Sequence, residues 1–347
     1  MKKTVRFSKD YKGIFNLKTD FYNNNKSHLI NANQLNKIYL KGPLRKTCKN
    51  CQKKISNHFL KSFGVRYSLC KYCGHLNGEK KETKNFFYKL YIKGTGSKNL
   101  EKNYKKFFKE RVKLIYNSKV LFLKKIIKKK ISVLEVGSSA GHFLKALENN
   151  KIFGKGIEPN KLLCKVGNEY LKKNKLINRK FSELKNIISN EKTANCLVAI
   201  GVLEHIENPN EFLKLFKKSK IKYLYISVPL FSLTSLIENS FKNVYPRHLS
   251  GGHTHLYTKK SIYYFAKKYK FKIMGEWWFG TDIADLYRSL LVSSENLNKD
   301  IYKKVIDHNF YNVLNEMQEC IDREKYVPKF IWYYQNSSIR KMKKFTK

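Results

Sequence analysis

The chain has 347 residues and a formal net charge of +46, with 42% hydrophobic and 28% charged residues. That length buries one full α/β core and leaves material for one or two smaller units. No run of about 18 uncharged apolar residues occurs, the longest candidate, Tyr223 to Ile237, being broken by Pro229. The first residues, Met1-Lys2-Lys3-Thr4-Val5-Arg6, lack the apolar centre of a signal peptide, so no membrane span is expected and a soluble cytoplasmic protein is the simplest reading. Only 9 of the 72 basic residues are Arg, and the lysines are spread through most segments. A surface built for phosphate or base recognition would favour the bidentate Arg fork, so solvated lysine faces are expected ahead of a nucleic-acid surface. An anionic small substrate would benefit from the same field.

In chain order, residues 1–40 are polar and Asn-rich and read as a loosely ordered arm. Residues 41–85 carry two Cys-x-x-Cys pairs, Cys48/Cys51 and Cys70/Cys73, with the stretch 52–69 between them. That spacing is expected of a four-thiolate zinc site, structural because all four positions are taken by protein, with Gly74 helping the chain turn back. A disulfide reading lacks an oxidising compartment, and a redox role needs only one pair. Cys164, Cys196 and Cys320 are isolated and read as small buried apolar residues. Residues 86–130 read as a helical connector, with Phe107, Phe108, Val112, Ile115 and Tyr116 at helical spacing and the pattern continuing from Val120 to Ile127.

Residues 131–285 open with the apolar run Ile131-Ser132-Val133-Leu134, which feeds Glu135-Val136-Gly137-Ser138-Ser139-Ala140-Gly141 and then a helix with Phe143, Leu144 and Leu147 on one face. A strand, a glycine-rich turn and a helix in succession form a nucleotide-type site. A dinucleotide fingerprint needs glycines at its first, third and sixth positions, which here are Gly137, Ser139 and His142, so NAD is disfavoured. A second strand ends in Glu158-Pro159, an acid about 20 residues past the turn that can accept both ribose hydroxyls. Cys196 to Ile200 reads as a buried strand running into Gly201-Val202-Leu203-Glu204-His205-Ile206, and Tyr223 to Pro229 as another strand.

These four motifs, in this order from Ile131 onward, resemble the class I S-adenosylmethionine-dependent methyltransferases. The resemblance implies an α/β fold with a Rossmann-like seven-stranded sheet. It also implies cofactor contacts from Glu135, Gly137, Ser138, Ser139, Gly141, Glu158, Pro159, Gly201, Val202, Glu204 and His205, with Glu135 near the amino-acid part. With the cysteine unit upstream, the chain is similar to the sugar C-methyltransferases, in which an N-terminal zinc-binding unit helps cover the substrate. The expected reaction is methyl transfer to carbon or oxygen of a small polar acceptor such as a sugar or an anionic nucleotide-sugar. The alternatives are an RNA or protein methyltransferase docked through the zinc unit and lysines, and a non-catalytic zinc-ribbon interaction protein.

The segment Tyr245 to Thr258 is dense in groups that titrate or hydrogen-bond. Methyl transfer needs an in-line acceptor and removal of its proton, and histidine is the commonest residue for that task at neutral pH. His253 and His255 are the candidate bases, the alternative being that they anchor the loop while Thr258 caps the next helix. Tyr245, Arg247 and His248 read as substrate contacts. The run Phe271 to Phe279 has the look of the paired final strands, and 286–347 reads as a C-terminal helical extension that caps the site or forms an oligomer contact.

Overall fold

The computed structural model describes residues 3–15, 17, 23–55, 58–90, 104–249, 252–294, 298–327 and 329–336. Parts of the connector (91–103), of the histidine-rich loop (250–251) and of the C-terminal extension (295–297, 328, 337–347) lie outside the described residues.

Among the described residues, twelve strands form two sheets. In chain order they are β1 (Thr4–Phe7), β2 (Leu60–Ser62), β3 (Val65–Leu69), β4 (Leu76–Gly78), β5 (Ser132–Val136), β6 (Phe153–Glu158), β7 (Lys175–Asn178), β8 (Cys196–Ile200), β9 (Tyr223–Pro229), β10 (His255–Leu256), β11 (Lys272–Phe279) and β12 (Lys329–Gln335). The large sheet has the order β1-β11-β12-β9-β8-β5-β6-β7. Strands β5 to β9 pair in parallel, and β12 runs antiparallel to both of its neighbours. This is the expected seven-stranded Rossmann-like sheet with one further edge strand, β1, parallel to β11.

The central strands are apolar on both faces because both faces are covered. Leu134, Leu197 and Ile226 share one core with Phe212, Phe216 and Phe265 of the helices Pro209–Lys218 and Lys259–Tyr269. Val133, Val198 and Tyr225 share the other with Val120, Leu123 and Phe143 of the helices Asn117–Ile126 and His142–Asn149. The result is a three-layer α/β sandwich whose ligand side lies at the carboxyl ends of the parallel strands.

Three expectations are corrected. The described residues of the arm are structured, since β1 joins the sheet, Trp277 Nε1 donates to the Ser8 carbonyl at 2.7 Å, and Asn25–Leu40 is a helix whose Tyr39 is buried against Val65 and Phe86. The Phe271 to Phe279 run is a single strand, and its partner is β12, from the extension read as helical. There the run Phe330-Ile331-Trp332-Tyr333-Tyr334 is fully buried between β9 and β11. Cys320 is exposed, whereas Cys164 and Cys196 are buried as expected.

β2, β3, β4 and β10 form the small sheet. β10 comes from the histidine-rich loop, on the far side of the Rossmann-like core in sequence, so the cysteine unit and that loop are one structure: His255 pairs with Asn77 and Leu256 with Leu76. Trp332→Ala, in a strand buried at the middle of the large sheet, is expected to cost about 3–5 kcal/mol in urea unfolding, whereas a peripheral extension would lose less than about 0.5 kcal/mol.

Candidate active site and cysteine centre

The glycine turn is held open by backbone geometry. Gly137 and Gly141 have φ of 67° and 75°, in the left-handed region. A Cβ on Gly137 would sit 2.6 Å from a Val202 methyl, so the turn and the loop after β8 exclude a side chain there. Ser139 also has a positive φ, 49°, and its N–H donates to Glu158 Oε2 at 2.8 Å, while Asn160 N–H donates to Oε1 at 3.0 Å. Both carboxylate oxygens are thus oriented by backbone amides and keep acceptor capacity for a ligand. Burial pushes the Glu158 carboxyl up from its ordinary value, against the pull of these two amides.

A cleft of about 590 Å³ opens over this turn, lined by Gly137, Ser139, Glu158, Pro159, Gly201, Val202, His205 and His253, with Phe181 and Tyr245 at its walls. The structure therefore brings most of the expected cofactor residues together. Three of the others lie just behind. Ser138 is buried with its hydroxyl donating to the Glu135 carbonyl, Gly141 precedes the helix His142–Asn149, and Glu135 is buried with Oε2 unpartnered and its pKa pushed up to about 8 by burial. Glu204 lines a neighbouring cavity instead.

That second cavity, about 380 Å³, shares Gly201, His205, Arg247 and His253 with the cleft and is otherwise lined by residues such as Lys9, Arg111, Lys119, Glu204, His248 and Lys329. Sequence reasoning missed most of these. Lys329 begins β12, opposite Pro229 at the end of β9, and reaches the ligand side because β12 runs antiparallel. Lys119 and Arg111 flank a π-helical turn, Val112–Tyr116, of the connector, a distortion common at functional sites.

His253 and His205 stack at the junction of the two cavities, ring centroids 5.3 Å apart. His253 Nδ1 lies 3.1 Å from the Arg247 carbonyl. That acceptor places the ring proton on Nδ1 and leaves Nε2 with its lone pair. Burial holds the His253 pKa down to about 4, and that of His205 well below its ordinary value. His255 is a correction. It lines neither cavity, and its Nδ1 is 2.9 Å from His75 Nε2 beneath the small sheet, so it anchors the loop. Glu204, His205 and His253 also present ligand atoms within 4.8 Å of one another, but the cations around the second cavity disfavour a divalent ion there.

The four thiols are buried, with Cys48–Cys73 and Cys51–Cys70 sulfurs 3.6 and 3.5 Å apart. Zinc–sulfur bonds of about 2.3 Å in a tetrahedron require sulfurs roughly 3.8 Å apart, so the donor set fits a four-thiolate metal. The unit is bolted to the core. Thr258, the N-cap of Lys259–Tyr269, donates to the Gly74 carbonyl at 2.8 Å, Asn50 Nδ2 donates to the Ser261 carbonyl at 2.9 Å, and Asn210 Nδ2 donates to the Asn50 carbonyl at 2.9 Å. Glu82 accepts from Arg45 at 2.7 Å, Lys49 at 2.9 Å and the Thr254 hydroxyl. Burial opposes its ionisation, yet Lys49 and Arg45 hold its pKa down to about 2.

Residues 108–275 match the family model described as a methyltransferase domain. No curated protein matches the chain. Among solved structures, the chain is similar to an S-adenosylmethionine-dependent methyltransferase from Archaeoglobus fulgidus at 18% identity, covering 67% of this chain and 99% of that one, TM-score 0.42. It is also similar to the magnesium protoporphyrin IX methyltransferase from Synechocystis with bound S-adenosylhomocysteine, at 9% identity, covering 72% and 97%, TM-score 0.44. A third is the plantazolicin methyltransferase in complex with S-adenosylhomocysteine, at 16% identity, covering 73% and 97%, TM-score 0.42. The domain match, the strand order and the turn over the cleft define a Rossmann-like methyltransferase domain. Residues 108–275 of the protein thus carry a methyltransferase domain. Among the described residues no helix is long and apolar enough to cross a membrane.

Two outcomes follow for the site. Glu158→Gln should weaken S-adenosylmethionine binding in calorimetry about 10- to 100-fold, the loss of a charge-assisted hydrogen-bond acceptor, and an unchanged affinity would contradict the assignment. With a folded pKa of about 4 against about 6.5 in the unfolded chain, His253 stays neutral from pH 8 to 5. Between pH 6.5 and 4 the unfolded chain takes up this proton and the folded one does not, so His253 costs stability as pH falls through that window. Titration of His253 by NMR should give a midpoint near 4, and one near 6.5 would contradict its burial.

Proposed function

We propose that the enzyme methylates carbon or oxygen of a small polar acceptor of sugar size, with structural zinc at Cys48, Cys51, Cys70 and Cys73. The observation that carries this reading is the junction. A cleft over the glycine turn opens at His205 and His253 into a second cavity of about 380 Å³, room for a small molecule beside the donor.

When bound, S-adenosylmethionine supplies an electrophilic sulfonium methyl. In this reading Glu158 takes the ribose hydroxyls, and the Gly137–Gly141 backbone with Glu135 holds the amino-acid portion. Arg247 and Tyr245 orient the acceptor, Arg247 being fixed by its ion pair with Asp285. His253 Nε2 would take the proton that the acceptor gives up on methylation, the methyl's bonding pair staying with the departing thioether sulfur, and His205 stacks against the His253 ring to keep it in line. Cys48, Cys51, Cys70 and Cys73 around one zinc ion hold β4, and through it β10 and the segment bearing His253.

His253→Gln should lower kcat roughly 10²- to 10⁴-fold while leaving S-adenosylmethionine affinity intact, measured with the acceptor found by screening sugars, nucleotide-sugars and RNA for a methylated product. A product from RNA alone would replace the small-molecule reading. Purified protein should carry stoichiometric zinc, and Cys48→Ser should lose both metal and turnover; metal-free protein with full turnover would contradict the structural role.

A further inference from the structure

We infer that the second cavity is an oxyanion site. The acceptor carries a carboxylate or phosphate group that is held between Lys9, Lys119 and Lys329, with Arg111 and Arg247 beside them. The inference rests on the methyltransferase reading only in calling the bound molecule the acceptor; the anion site stands on the cavity itself.

Five cationic side chains line this cavity, and among the described residues Glu204 is its only carboxylate. Of the five, Arg247 is paired with Asp285. Lys9, Lys119 and Lys329 form no ion pair with any described carboxylate, and Arg111 Nε is buried without a partner. The lysines come from three separate parts of the fold: the residue after β1 and Ser8, the helix Asn117–Ile126, and the first position of β12. Lys9 and Lys119 are held in place by aromatic faces, Lys9 4.9 Å from the Tyr11 and Phe279 centroids and Lys119 4.9 Å from that of Tyr116.

Bringing like charges together away from water is unfavourable unless a counter-charge is supplied. The cost shows in the lysines themselves. Burial first, and then repulsion from Lys329, holds Lys119 down to about 7; burial and Arg247 hold Lys329 down to about 8. Glu204 does not supply the counter-charge, because burial pushes its own pKa up to about 8 and its Oε2 is unpartnered. Nor does the cofactor. S-adenosylmethionine carries one carboxylate against an ammonium and a sulfonium, so a ligand with net negative charge is what balances the cavity. Such an anion anchored here lies next to His205 and His253, which the cavity shares with the donor cleft.

The test is calorimetry of the full chain with inorganic phosphate and, separately, malonate, at roughly 0.15 M ionic strength, where the Debye length is about 8 Å and exposed lysines are screened. Wild-type protein should bind at least one of the two. Lys329→Met and Lys119→Met should each weaken that binding at least tenfold, Lys329→Arg should keep it, and a double variant at the exposed Lys128 and Lys129 should not change it. Whichever probe binds tighter assigns the oxyanion type. Because the lysines are unpaired, both Met variants should melt no lower than wild type without ligand, which separates loss of binding from loss of fold. Binding that is equal in the Met variants, or absent in wild type, overturns the inference. A drop in S-adenosylmethionine affinity with anion binding unchanged also overturns it, since the lysines would then serve the donor's own carboxylate. Wild-type protein that binds phosphate but not S-adenosylmethionine would instead sink the methyl-transfer reading and leave the anion site standing.

Discussion

The short pairing of His255–Leu256 against Leu76–Asn77 is the constraint on which the site depends. So short a strand contributes little by itself, yet it carries the chain that bears His253 and ends at the N-cap Thr258. It must therefore be held from both sides. On one side stand the four thiols, with the Thr258 bond to the Gly74 carbonyl; on the other stand Tyr257, buried with its hydroxyl donating to the Leu203 carbonyl at 3.4 Å, and the ion pairs of Glu82. A cysteine unit that looks like an appendage in sequence is thus tied through β10 to the segment that bears His253. The packing of its four thiols, a local matter of sulfur spacing, bears on where an imidazole from a remote part of the chain can stand.

The large sheet supplies the rest by direction. Parallel strands bring Gly137, Glu158 and Gly201 to one edge, where the positive φ of the two glycines lets backbone line the cleft beside the Glu158 carboxylate. The single antiparallel strand then delivers its first residue, Lys329, to that same edge. Cations from the arm and the connector converge there too, at a cost that the proposed anion would offset. The net charge of the chain is therefore of two kinds: lysines scattered over solvated faces, which say little about function, and a few drawn into a cavity, which say a good deal.

How much of this was legible in the sequence depended on whether the signal was local. The glycine turn, Glu158 and the strand running into Leu203-Glu204-His205 were readable because each packs chemistry and turn geometry into a few adjacent residues. The Cys-x-x-Cys pairs were readable for the same reason. β1 and β12 were not. The short, mixed-polarity stretch Thr4–Phe7 carries no periodicity of its own, and the apolar run at Phe330–Tyr334 sits alone after helical segments, with its partners β9 and β11 far upstream. With β12 unread, Lys329 had no reason to be singled out. The choice between His253 and His255 was beyond sequence for a related reason. Alternate residues of an extended segment share a face while neighbours oppose, so both imidazoles sit on one side by pattern alone, and only the partner strand and the bend before it send one to the cleft and the other to His75.

The central claim is that the thiol unit fixes the reaction centre through β10. Amide hydrogen exchange at His255 and Leu256, followed before and after removal of metal by a chelator, tests it most directly. The account predicts that these two amides are strongly protected in the metal-loaded protein and lose protection together with Leu76 and Asn77 on chelation, while amides of β5 and β8 keep theirs. Unchanged protection at His255 and Leu256 after the metal has gone would contradict it.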